Sequence, residues 1–124
     1  MRCAKRILMV DDQEDHLLIC KIVLELRGYE VLTFPGIGTM DYLFETVYSF
    51  RPDLIFTNHE MPGISGEKVI RMMKAIPRFH DIPIIYFSAM LNVEAMAHDS
   101  GANDWLSKPF QMEKLLAMVN RYLS

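Results

Sequence analysis

Cysteine is scarce in this chain of 124 residues: Cys3 and Cys20 stand alone, with no paired spacing. That excludes a disulfide-framed scaffold and fits a reducing compartment. A cysteine on an apolar helix face is ordinarily a small hydrophobe, so a Cys3–Cys20 bridge is not expected. Positive charge is not in excess either. Thirteen Lys and Arg against sixteen Asp and Glu leave a formal net charge of -3, which offers no basic stripe to nucleic acid. No apolar run approaches the ~18 residues of a spanning helix. The start, Met1-Arg2-Cys3-Ala4-Lys5-Arg6, lacks the apolar stretch of a signal peptide, so a cytoplasmic location is expected. His16, His59, His80 and His98 show no His-x-x-x-His spacing, which argues against a zinc-type site and for solvated or locally bonded rings. Repeats, linkers and low-complexity stretches are missing as well.

What is present is a globular composition, 51% hydrophobic and 23% charged, in a length that suits one domain over residues 1–124. Ten methionines at helical and strand spacings read as core filler. Short apolar runs alternate with longer amphipathic ones. Strands are predicted over Arg6–Val10, Tyr29–Phe34, Leu54–Thr57, Ile82–Phe87 and Asp104–Leu106. Helices are predicted over Glu14–Arg27 (stopped by Gly28), Thr39–Phe50, Gly66–Ile76 with Ser65 as N-cap, Val93–Ser100 and Gln111–Leu123. Five strand–helix alternations imply an α/β fold, a parallel sheet with helices on both faces. Continuous apolar strands such as Ile7-Leu8-Met9-Val10 agree, because central parallel strands are buried on both sides. Ligands of such sheets sit at the carboxyl ends of the strands.

Those ends carry the polar residues. Asp11 and Asp12 follow the first strand, Asn58 ends the third, Ser88-Ala89 follows the fourth, and Lys108-Pro109-Phe110 follows the fifth. Met61-Pro62-Gly63 leaves the third strand, and Gly101-Ala102-Asn103-Asp104-Trp105-Leu106 leads to the lysine. In this order the motifs resemble, over essentially the whole chain, the response-regulator receiver family of two-component systems (CheY-like). The resemblance implies the flavodoxin-like receiver fold, a five-stranded parallel sheet of order 2-1-3-4-5. It also implies a phosphoacceptor position at Asn58 and metal ligands from Asp11, Asp12, Asn58 and the backbone carbonyl of Glu60. Ser88 and Lys108 would contact the phosphoryl group, and Lys108-Pro109 would be a cis peptide. Trp105 stands where the family has a switching aromatic, although packing beneath the last helix is the simpler expectation for its bulky indole.

Two departures bear on function. The family's acceptor is an aspartate, whereas an amide carries no negative charge, so Asn58 is no usable nucleophile for phosphoryl transfer. The stretch from Ser88 to Gly101 is also short for the family, which predicts a stunted or shifted fourth helix. The expected function is therefore phosphorelay signal transduction by protein–protein docking, without enzymatic activity and without phosphorylation at residue 58. Expected partners are a sensor histidine kinase, a phosphorelay protein or a downstream docking protein. Nucleic acid and membrane are not expected as direct partners. Mg²⁺ is a weak expected cofactor, since two carboxylates remain and one anionic ligand is lost. Two alternatives stand beside this: a conventional phosphoacceptor receiver captured as an Asp→Asn variant, and a flavodoxin-like cofactor-binding protein. Asp11-Asp12-Gln13-Glu14 in place of a Ser/Thr/Gly-rich phosphate loop argues against the last.

Overall fold

A computed structural model describes residues 4–35, 39–61 and 64–124. Cys3, and with it any bridge to Cys20, lies outside the described residues. Five strands form one parallel sheet: β1 (Arg6–Val10), β2 (Glu30–Phe34), β3 (Leu54–Asn58), β4 (Ile84–Ser88) and β5 (Asp104–Ser107). Their spatial order is β2-β1-β3-β4-β5 and every pairing is parallel, as the alternation and the resemblance implied. The helices are α1 (Glu14–Leu26), α2 (Met40–Phe50), α3 (Gly66–Ala75), α4 (Val93–Ser100) and α5 (Met112–Leu123).

Strand parity divides the core into two layers. From β1, Ile7 and Met9 join Leu17, Cys20 and Leu24 of α1 and Leu115 and Val119 of α5 on one face. Leu8 and Val10 join Leu43 and Val47 of α2, Val69, Ile70 and Met73 of α3, and Ala97 of α4 on the other. Successive strand side chains point to opposite faces, so an unbroken apolar strand feeds both layers at once. Four consecutive β1 residues, Ile7 to Val10, are fully buried.

Local signals set most boundaries. Gly28 ends α1 with φ +91°, a backbone state that costs glycine little. Thr39 caps α2 by accepting from the Tyr42 N–H, and Ser65 caps α3 by accepting from the Lys68 N–H. β4 begins two residues later than the apolar run suggested. The Ile82 N–H is drawn back to the Phe79 carbonyl, and Pro83 has no N–H to give a ladder. A minor antiparallel ladder pairs Glu60–Met61 with Ile64–Ser65, which the sequence did not announce. α4 spans eight residues, the short fourth helix that the spacing predicted.

Candidate functional site

Register brings the polar strand ends to one place. Val10 of β1 is level with Thr57 of β3, so Asp11 emerges beside Asn58. Asn58 is level with Phe87 of β4, and Ser88 is level with Ser107 of β5, which puts Lys108 one residue further on. The Lys108 N–H donates to the Ser88 carbonyl at 2.8 Å, and Lys108-Pro109 is cis. α3 presses on this site from below. A Cβ added to Gly66 would lie 1.8 Å from the Asn58 carbonyl oxygen, so the first residue of the helix has no room for a side chain.

Asp11 is the centre of the arrangement and is fully buried. Its Oδ1 accepts from the Gln13 N–H at 3.1 Å and from the Asn58 amide at 3.0 Å. Its Oδ2 accepts from Lys108 Nζ at 2.7 Å and faces His16 Nδ1 at 3.4 Å. A carboxylate offers about four lone-pair positions; three are taken by donors and the fourth faces the His16 ring. Burial pushes the Asp11 carboxyl up, but the hydrogen bonds from His16 and Lys108, the charge of Lys108 and the Gln13 N–H outweigh it. The result is a pKa lowered from 3.8 to about 2. Asn58 spans the pocket. Its Nδ2 also donates to Asp12 Oδ1 at 3.2 Å, while its Oδ1 accepts from Lys108 Nζ at 3.4 Å. Lys108 donates further to Gln13 Oε1 at 3.1 Å, and its ammonium lies 4.6 Å from the centre of the Phe87 ring.

The pocket as it stands does not fit Mg²⁺. That ion needs octahedral oxygen ligands at short distance. The two carboxylate oxygens nearest Asn58 both accept from an amide N–H, and the other Asp11 oxygen is engaged by Lys108 and faces the His16 ring. Among the described residues, no group of three His, Cys, Asp or Glu could hold a metal ion.

The remaining expected residues are placed as follows. Ser88 is buried at the end of β4, and its Oγ accepts from the Met90 N–H at 3.0 Å. Glu60 lies in the minor ladder opposite Ser65, and its side chain is outside the described residues. Trp105 does not pack beneath α5. It is 39% exposed and lines a cleft with Glu94, Ala97 and His98 of α4. Strand parity is the reason: Leu106 enters the α1–α5 layer, so its neighbour turns to the opposite face.

Three contributors were not foreseen from sequence. Gln13 and His16 support Lys108 and Asp11, and both follow the acidic pair closely enough that a helix start would aim them back. His16 also meets Cys20, its Nε2 lying 3.7 Å from the sulfur. Burial first, and then the Asp11 charge, raise that thiol to about 11, so it stays a proton donor. The third is the hydrogen bond between His59 Nδ1 and the buried Tyr86 hydroxyl, which no spacing could have shown.

A doubly wound parallel sheet of order 2-1-3-4-5, with polar groups converging at its carboxyl edge, defines the flavodoxin-like α/β class. The response regulator receiver domain family matches residues 7–120 of this chain. The chain belongs to that family. The transcriptional regulatory protein PrrA of Mycobacterium leprae is 34% identical over 121 residues, covering 95% of this chain but 49% of PrrA. The chain thus spans about half the length of several curated relatives it matches. The polar-differentiation response regulator DivK of Brucella anthropi is 28% identical, with 96% of each chain covered. Among solved structures, Vibrio cholerae chemotaxis protein CheY4 superposes with TM-score 0.84 at 25% identity, covering 98% of this chain and 100% of CheY4. Thermotoga maritima response regulator TrrA, solved in complex with Mg²⁺-BeF, superposes with TM-score 0.82 at 29% identity, covering 96% of this chain and 99% of TrrA.

Proposed function

We propose that this receiver domain takes part in two-component signalling by docking to other proteins, without being phosphorylated at residue 58. The carrying observation is the carboxamide of Asn58 at the carboxyl end of β3, between the Asp11–Asp12 pair and Lys108. The chemistry of the receiver reaction needs a carboxylate nucleophile there, and an amide cannot act as one. In this reading Asn58 stands at the family's phosphoacceptor position and the chain is not an enzyme in its own right. Asp11, Asp12 and the Glu60 carbonyl keep the family's metal-side places, and Ser88 and Lys108 keep its phosphoryl-side places. Mg²⁺ is a weak ligand, because it enters only by displacing the amide.

Docking is supported by the surface of α1. Its inward residues Leu17, Cys20 and Leu24 are buried, yet Leu18, Ile19, Ile22 and Leu26 on the outward side are between 49% and 80% exposed. A helix apolar on both sides has a second face for a partner to cover. The partner in this reading is a histidine kinase, a phosphorelay protein or a downstream docking protein in the cytoplasm. Nucleic acid is not a direct partner, in keeping with the net charge of -3. Intact mass after incubation with a small acyl phosphate and Mg²⁺ tests the reading. No adduct is expected, and a stoichiometric phosphoryl on this chain overturns it.

The completeness of the pocket around Asn58 favours one second reading, a conventional phosphoacceptor receiver in which residue 58 is an Asp→Asn substitution. The genomic codon at position 58 decides between the two.

A further inference from the structure

We propose that the Asn58 carboxamide is a built-in substitute for the divalent cation, neutralising the acidic pocket from within so that the native chain holds one pocket conformation with or without Mg²⁺. The inference rests on the reading of Asn58 as the residue at the acceptor position, but it concerns metal response and not phosphorylation.

The geometry carries it. The Asn58 NH₂ group lies between two carboxylates, 3.0 Å from Asp11 Oδ1 and 3.2 Å from Asp12 Oδ1, and so has one N–H for each. A cation shared by the pair would have to occupy that same bridging place. The other end of the amide is matched as well, since its oxygen faces the Lys108 ammonium at 3.4 Å. This orientation is fixed by chemistry. Turning the amide over would set Oδ1 against two carboxylate oxygens and the NH₂ against an ammonium, replacing three attractive contacts with three repulsive ones. An amide oxygen can ligate Mg²⁺ only in that reversed orientation.

Neighbouring groups make the exclusion cooperative. The remaining lone pairs of Asp11 are held by the Gln13 N–H, by Lys108 Nζ and by the facing His16 ring. Fully buried, Asp11 cannot turn to present a fresh oxygen without breaking these bonds. Asn58 is itself steadied from below, where Gly66 leaves its carbonyl just enough space and the Gly66 N–H donates to the adjacent His59 carbonyl at 2.9 Å. An aspartate at 58 would have the same shape but no N–H, leaving three carboxylates around one lysine. The pocket would then need an external cation, and the amide removes that need.

Thermal unfolding of the native chain, Asn58→Asp and Asn58→Ala tests this, each with chelator and with about 10 mM Mg²⁺ at matched ionic strength. The native midpoint should move by less than ~2 °C, whereas Asn58→Asp should start lower and gain ~4 °C or more, because a ligand stabilises the state it binds. Asn58→Ala should gain a Mg²⁺ response as well; should it not fold, Asn58→Asp alone decides. A native midpoint that rises as far as that of Asn58→Asp overturns the proposal, as does an Asn58→Asp midpoint indifferent to Mg²⁺. Neither result bears on whether the native chain accepts a phosphoryl group, which mass measures separately.

Discussion

Lys108 Nζ lies 2.7 Å from Asp11 Oδ2 across 97 residues of sequence, with the lysine side chain only 9% exposed and the aspartate wholly buried. A buried pair of this kind is weak evidence of added stability, because both charges lose their water. Breaking it is another matter, since Asp11 stays buried and charged without its ionic partner, keeping only the Gln13 N–H, the Asn58 amide and the facing His16 ring. The bridge ties the loop after β5 to the end of β1 and thereby holds the pocket in register across the middle of the sheet.

Lys108→Met should therefore destabilise the chain by about 3 kcal/mol, the usual cost of orphaning a buried charge. Urea unfolding at neutral pH measures this. A loss below ~1 kcal/mol would mean that water or His16 satisfies Asp11 without the lysine.

The same pair sets an acid limit. The Asp11 pKa is lowered in the folded chain from 3.8 to about 2, so the unfolded state binds the proton more readily. The stability this contributes is present above pH ~4 and is lost as pH falls toward 2, amounting to about 2 kcal/mol. Urea midpoints from pH 6 down to about pH 2 should show the decline, and in Lys108→Met the Asp11 part of it should shrink. An unchanged profile in the variant would assign the acid sensitivity to other carboxylates.

Much of this architecture was legible in the sequence because its signals are local or periodic. Unbroken apolar strands such as Ile7–Val10 announce burial on both faces, and Ser65, Gly28 and the short Val93–Ser100 run mark helix limits that the structure keeps. The convergence of Asp11, Asp12, Asn58, Ser88 and Lys108 at one edge followed from the strand ends together with the strand order that the resemblance implied. What was not legible is which way side chains turn. Trp105 was expected beneath α5 and instead faces α4, because only pairing of β5 with β4 fixes its parity. The bridging role of the Asn58 amide needed distances, since an asparagine at that position can ligate, donate or do neither. Gln13 and His16 gave no signal beyond their closeness to the acidic pair.

Gly66→Ala should disturb the site from beneath. The added Cβ would meet the Asn58 carbonyl oxygen at 1.8 Å, and its nearest neighbours are all backbone atoms of Asn58 and His59, with no flexible side chain to yield. A loss of ~2 kcal/mol or more is expected by urea unfolding, with altered amide chemical shifts at Asn58 and His59. A variant of native stability would show that the start of α3 can move away freely.

Trp105 is the sole tryptophan, and its partial exposure in the cleft beside α4 makes it a convenient probe. Its fluorescence should be quenched readily by acrylamide, and Trp105→Ala should cost less than ~1 kcal/mol, as surface substitutions usually do. Emission shielded from quencher, or a core-like loss of stability on truncation, would place the indole beneath α5 after all.

The decisive substitution is Asn58→Asp followed by exposure to a small acyl phosphate. In the variant a carboxylate replaces the amide between Asp11, Asp12 and Lys108 without change of shape, so a nucleophile appears where positioning groups already stand. Phosphoryl transfer depends mainly on positioning and charge neutralisation; Lys108 already faces residue 58, and added Mg²⁺ on Asp11 and Asp12, no longer bridged by the amide, would supply the rest. Intact mass should show one phosphoryl group on the variant and none on the native chain, with peptide mapping locating it at residue 58. Adding Lys108→Met to Asn58→Asp should slow the uptake by ~10-fold or more, because an ammonium facing the transferred oxygens is removed. The cost of the new charge should be visible too. Three crowded carboxylates raise one pKa by roughly a unit or more, each unit being ~1.4 kcal/mol, so the unmodified variant should be less stable than the native chain at neutral pH. If Asn58→Asp remains unmodified while folded, then Ser88, turned toward its own loop at Met90 N–H, or the closed Asp11 network has departed from a phosphoryl pocket. Loss of the acceptor would then be one change among several in a domain committed to docking.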